Sequence, residues 1–192
     1  MEIVVNDTNI LIDLAKADLL RFCPLMSLEF HTLDLIVEEV EDDEQRRAVD
    51  VLVSEGALKV RSLSGKQMMT VMEKVEAYEG KCNLSPEDIS VLVYAKENGF
   101  RLLTGDKTLR TKAIDDGVRV SGILYLTDRM VEENLVSAEE MISILKRLLT
   151  VNNRLPKRSI EERIEELKCS DRILSKNKCQ VTKGDGTGNM SL

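Results

Sequence analysis

"LSPEDISVLVYAKENGFRLLTGDKTLRTKA" occupies residues 84–113, and local signals divide it into helix, strand and helix. Ser85, Pro86 and Asp88 mark a helix start. The serine hydroxyl accepts from an unpaired backbone N–H, the proline stands where no N–H is missed, and the carboxylate closes a Ser/Asp variant of the capping box. Ile89, Leu92, Val93 and Ala95 supply the inner face, and Gly99 ends the helix. "FRLLTGD" then reads as a short strand closing on a sharp turn at Gly105, and "KTLRTKAIDDG" as the helix that leaves it. Strands separated by helices of this length indicate a parallel sheet covered on both faces.

The same grammar extends outward. Residues 2–6, "EIVVN", read as a strand and "NILIDLAKADLL" as a helix, through Ile10, Leu11, Leu14, Leu19 and Leu20. The join falls at Asp7, among the polar residues Asn6, Thr8 and Asn9. A short strand ending near Thr32, a short helix carrying Glu38 and Glu39, and a second helix terminated by Gly56 follow. "ALKVRSL" is the next strand. A helix from about Gly65 to Tyr78 carries Met68, Met69, Val71, Met72 and Val75, which read as core filler. "VRVSG" supplies a final strand, "ILYLTDRMVEENL" a helix, and "SAEEMISILKRLLT" another, with Ser137 and Glu140 in capping-box register. The expected fold class is α/β, a three-layer sandwich with a central mostly parallel sheet.

Residues 158–168, "RSIEERIEELK", form one further amphipathic helix through Ile160, Ile164 and Leu167. From about Asn177 no periodic apolar face remains and disorder is expected. The expected organisation is a main domain over 1–150, a helical extension over 151–176 and a tail over 177–192.

Composition narrows the function classes. A chain of 192 residues, 43% hydrophobic, buries one sizeable core. Aromatic residues make up 3%, with no Trp, so platforms for stacking bases are scarce. Cys23, Cys82, Cys169 and Cys179 form no CxxC pair and have only His31 as an imidazole companion, which speaks against a zinc cluster or a redox dithiol. No apolar run approaches the roughly 18 residues of a membrane span, and "MEIVVND" is unlike a signal peptide, so no membrane role and a reducing cytoplasm are expected. Net charge is −7, with 18 basic against 28 acidic residues over 1–150 and 9 against 6 over 151–192. An acidic body argues against a broad positive nucleic-acid surface. It is compatible with negative charge gathered around cations in one cleft.

Position along the sheet makes four acids conspicuous. Ligands of open parallel sheets bind beyond the carboxyl ends of the strands. Asp7 ends the first strand, Asp106 follows "RLLTG", Asp88 opens the helix before that strand, and Glu38 or Glu39 follows another strand. Converging carboxylates repel one another unless cations neutralise them, and oxygen-only ligation suits Mg²⁺ or Mn²⁺. Each acid also has a structural reading: Asp88 as a cap, Asp106 as a helix start, and the acids of "VEEVEDDE" as solvated surface. His31 reads as structural rather than as a general base. No GxxxxGK[ST] loop and no GxGxxG is present. "DTNIL" lacks the second aspartate of an aspartyl-phosphate phosphatase, since Asn9 stands there.

The order of the acids, together with "VNDTNILIDL", "LIVEEV", residues 84–113 and "VRVSGILYL", resembles a PIN domain over about residues 3–150, and in particular the prokaryotic branch that includes the VapC toxins. The resemblance implies that Asp7, Glu39, Asp88 and Asp106 are catalytic metal ligands for one or two Mg²⁺ or Mn²⁺ ions. It implies a cytoplasmic endoribonuclease that hydrolyses RNA by metal-activated water and leaves a 5′-phosphate and a 3′-hydroxyl. Thr8, Asn9 and Thr104 are the implied supports of the ligands, and Lys107, Arg110 and Lys112 guide the RNA backbone. A homodimer and a small antitoxin protein are the implied partners. The other reading is a noncatalytic PIN-fold subunit that binds RNA or protein.

Overall fold

The computed structural model describes the backbone of residues 1–151 and 155–181, and the side chains of 1–150 and 155–169. Five strands form one sheet in the order β3-β2-β1-β4-β5, every neighbouring pair parallel: β1 Glu2–Asn6, β2 Leu28–Leu33, β3 Leu58–Arg61, β4 Arg101–Leu103 and β5 Val120–Ser121. The central strands are apolar on both faces, with Val4, Val5, Leu102 and Leu103 fully buried. That is the pattern of a strand covered by helices above and below.

From β1 the chain steps one way to β2 and β3, then crosses back to β4 and β5. Right-handed crossovers therefore place α1 (Thr8–Lys16) and α3 (Asp43–Ser54) on one face, and α5 (Pro86–Asn98) and α6 (Lys107–Asp115) on the other. Packing follows this division. α1 meets α3 and α7 (Ile123–Glu132), whereas α5 meets α6 and α4 (Gly65–Tyr78). The three-layer α/β sandwich is thus present, and the direction of winding reverses between β1 and β4. A crevice opens at such a switch point, beyond the strands' carboxyl ends.

Residues 84–113 fold as read. Ser85 Oγ accepts from Asp88 N at 3.0 Å while Asp88 Oδ2 accepts from Ser85 N at 3.0 Å, and Gly99 closes α5 in the left-handed conformation at φ 69°. Gly105 lies between β4 and α6, as read. It is not among the glycines with positive φ, so the turn into α6 makes no demand that only glycine meets.

The methionines of α4 are a correction. Met68, Met69 and Met72 are 48%, 65% and 62% exposed rather than core filler. α4 packs principally on α5, not on the sheet, and so buries only a narrow stripe. Val71 joins Ile89 and Val93 there, with Leu63, Val75, Tyr78 and Leu84 around them. Full burial of each such aliphatic side chain contributes roughly 1.5–3 kcal/mol.

The chain forms two compact units, Met1–Leu135 and Val136–Leu192. In the second, α8 (Ala138–Val151) packs on α9 (Lys157–Val181). Met141, Ile144, Leu145 and Leu148 of α8 and Ile160 and Ile164 of α9 are buried. α9 continues past Asn177, and the rest of the segment read as a tail, 182–192, lies outside the described residues, as does the side chain of Cys179. Among the described residues no helix is long and apolar enough to cross a membrane.

Candidate active site

Asp7 stands where β1 stops and α1 begins. Its N–H donates to Leu103 O of β4 at 3.1 Å, which fixes the backbone at the switch point. Its extended backbone, φ −83° and ψ 171°, makes it the N-cap of α1, and Oδ1 accepts from Ile10 N at 2.9 Å. The residue is 2% exposed. Oδ2 is buried and accepts no hydrogen bond. Burial pushes the carboxyl up to about 7, with the Asp88 and Asp13 charges adding to the shift. The Thr104 hydroxyl and the Ile10 amide oppose it. The hydroxyl favours the charged carboxylate without closing a well-formed bond to Oδ2.

Thr104 and Asp106 follow β4, the neighbouring strand of β1. Asp106 caps α6, with Oδ1 accepting from Leu109 N at 2.7 Å, and its own N–H donates to Thr104 Oγ1 at 3.0 Å. Asp88, at the third position of α5, has its pKa raised by burial first and by the Asp106 and Glu87 charges after it. Glu39 caps the carboxyl end of α2 (Asp34–Glu38) and accepts a hydrogen bond from the Thr8 hydroxyl. Its pKa is also raised, by partial burial of the carboxyl and then by Glu87 and Asp88. Of the two glutamates left open by sequence, Glu39 reaches Thr8 and feels Asp88.

Two acids were missed. Asp13, within α1, is buried and acts on Asp7. Glu87, beside Asp88, acts on both Asp88 and Glu39. Neither stands at a strand end, and what marks them is the charge each presents to a neighbouring acid in the folded chain.

The capping and ligand readings of the aspartates are compatible. Asp7 uses Oδ1, Asp88 Oδ2 and Asp106 Oδ1 to hold a helix start, and the second oxygen of Asp7 is buried without a hydrogen-bond partner. An all-oxygen donor set, with the buried Oδ2 of Asp7 orphaned, has the chemistry that suits a hard divalent cation. As placed, no three acids, histidines or cysteines among the described residues stand close enough to share one ion. Side chains must turn toward Asp7 to do so.

The remaining expected residues divide. Thr8 and Thr104 touch Glu39 and the Asp106 amide. Asn9 is exposed beside Gly105. Lys107 is exposed at the start of α6, and Lys112 lies over the Tyr78 ring at 5.2 Å. Arg110, expected to guide RNA, is half-buried, with Nη2 donating to Thr104 O at 2.9 Å. His31 is structural: Nδ1 lies 2.9 Å from Tyr94 Oη and Nε2 2.7 Å from Glu29 Oε1, and the residue is buried. Asn6 is buried too, and its Nδ2 donates to His31 O at 3.1 Å.

Comparison with known proteins adds the family. No curated protein matches the chain. Among solved structures, VapBC2 from Rickettsia felis bound to a DNA fragment from their promoter is similar at 15% identity and a TM-score of 0.45, covering 62% of this chain and 98% of that one. A family model described as PIN domain matches residues 3–169. The chain therefore belongs to the PIN domain family.

Proposed function

We propose that this protein is a Mg²⁺- or Mn²⁺-dependent endoribonuclease whose metal ligands are Asp7, Glu39, Asp88 and Asp106. The observation that carries the reading is Asp7: a buried carboxylate at the sheet's switch point, with one oxygen unpartnered and other carboxylates acting on it. A protein that needed only an N-cap here would expose it or use Asn or Ser, because burying a carboxylate without neutralising it is costly.

A bound divalent cation supplies the positive charge that eases deprotonation of a water and stabilises the leaving oxygen of a phosphodiester. The chain's own groups prepare for that chemistry. Asp7, pinned on both sides by backbone hydrogen bonds, offers Oδ2 from a fixed point. Asp106 and Asp88 offer their second oxygens from helix starts. Thr8 orients the Glu39 carboxylate, and Thr104 holds the Asp106 backbone. Lys107 and Lys112 lie along α6 on the path of the RNA backbone, and Asn9 flanks the turn. The products are a 5′-phosphate and a 3′-hydroxyl.

In this reading the protein acts in the cytoplasm as the toxin of a toxin–antitoxin pair, as a homodimer held by a small antitoxin until released. Growth arrest on expression, relieved by a neighbouring short gene, tests that part. The enzymatic part is tested by incubating a mixed RNA pool with wild type and Asp7→Asn, in Mn²⁺ and in chelator. Cleavage by wild type in Mn²⁺ alone is expected. RNA binding without cleavage in every arm would instead establish the noncatalytic subunit.

A further inference from the structure

We propose that Arg110 is a positioning residue for this site: its guanidinium, admitted by the missing side chain of Gly122, locks the turn that carries Thr104 and Asp106. The proposal rests on the acid-site reading above and adds to it a pair of residues that lie outside the acid set. Thr104 O is a strand-end carbonyl. The amide of Thr104 still pairs with Ser121 O at 3.0 Å, but β5 ends at Ser121 and the chain turns into α7, so no backbone donor reaches Thr104 O among the described residues. Such a buried carbonyl needs a partner. Arg110 Nη2 supplies it at 2.9 Å, in a charge-assisted bond.

The bond closes a loop of contacts around the turn. Arg110 N donates to Asp106 O at 3.0 Å, Asp106 N to Thr104 Oγ1 at 3.0 Å, and Leu109 N to Asp106 Oδ1 at 2.7 Å. The Asp106 carboxylate is thereby held from its backbone outward. Gly122 is what lets the guanidinium in. Its φ of −130° and ψ of −167° are extended values open to any residue, so glycine is not required by the backbone. Space favours it: a Cβ there would stand 3.0 Å from Arg110 Nη2, tighter than an ordinary contact, and 3.5 Å from Thr104 O. A side chain at 122 therefore requires the guanidinium to give by a few tenths of an ångström, which strains its bond to the carbonyl.

The experiment compares wild type, Gly122→Ala, Arg110→Ala and the double variant in the full chain, with three readouts. Amide hydrogen exchange at Asp106 in metal-free protein reports the brace. Mn²⁺ titration by electron paramagnetic resonance reports the ligands. The split between kcat and KM on RNA separates positioning from substrate contact. Arg110→Ala is expected to speed exchange at Asp106 and weaken Mn²⁺ roughly tenfold, the scale of losses at residues that orient metal ligands, with kcat falling and KM unchanged. Gly122→Ala should move the same way by less, and have no effect once Arg110 is Ala, because the methyl then has room. Unchanged Asp106 exchange, or equal effects of Gly122→Ala with and without Arg110, overturns the brace. A raised KM at unchanged kcat makes Arg110 an RNA contact instead. Faster exchange in variants of a protein that binds no Mn²⁺ even as wild type overturns the acid-site reading, and the positioning role with it.

Discussion

Asp7 carries a stability cost whose sign is testable. Its pKa rises from an ordinary 3.8 to about 7 on folding, so between those values the folded protein binds the proton that the unfolded chain has released. The stabilising contribution of the protonated form is complete below pH 4 and is lost as pH rises through about 7. The full swing is on the order of 4 kcal/mol for a carboxylate buried this deeply. In metal-free protein this part of the stability should fall between pH 4 and pH 8, and Asp7→Asn, which keeps a cap of similar quality, should remove it. Urea midpoints of both proteins at several pH values check this, and parallel curves would show that Asp7 is not the titrating group. At this scale the sequence singled out Asp7, Asp88 and Asp106 because each stands at a strand end or helix start, and a glutamate of the short helix after β2 beside them. It left Glu38 and Glu39 equivalent, because adjacent residues at a helix terminus differ only in which way they point. It hid Asp13 and Glu87, which stand at no strand end, and the pairing of Arg110 with Gly122, which exists only once folding brings the two together.

Elements divide between what local chemistry dictates and what neighbours decide. The start of α5 was legible to the residue, because Ser85, Pro86 and Asp88 satisfy orphan N–H groups within one turn. Ser85→Ala removes the acceptor of the Asp88 amide and should cost about 1 kcal/mol, read as a lower urea midpoint, while loosening a proposed ligand. An unmoved midpoint would mean that the box is ornamental. α4 was legible in extent but not in burial. Helical spacing identifies an apolar side, yet whether anything covers it depends on the packing of α4 upon α5. Met72→Ser should accordingly change stability by no more than about 0.5 kcal/mol, the range of ordinary surface changes. Val71→Ala, at a buried position of the α4–α5 cluster, should cost more than that. Equal losses in the two variants would show that the methionine is covered.

For the whole molecule, winding order decides where chemistry can occur. β1 and β4 are neighbours in the sheet although about a hundred residues separate them, and the reversal between them brings Asp7 and Asp106 to one crevice. The parallel sheet was foreseeable from alternating strands and helices; its strand order was not, since pairing between distant segments leaves no local mark. A cation that binds the folded chain alone stabilises it by mass action, by about 2.7 kcal/mol at a hundred times its dissociation constant. Mn²⁺ should therefore raise the melting temperature of wild type and leave that of Asp7→Asn unchanged. The most direct test of the central claim is the chemistry of the RNA ends. Wild type in Mn²⁺ is predicted to leave 5′-phosphate and 3′-hydroxyl termini, with no products from Asp7→Asn or in chelator. Cleavage that survives either treatment, or leaves 2′,3′-cyclic phosphates, would contradict it.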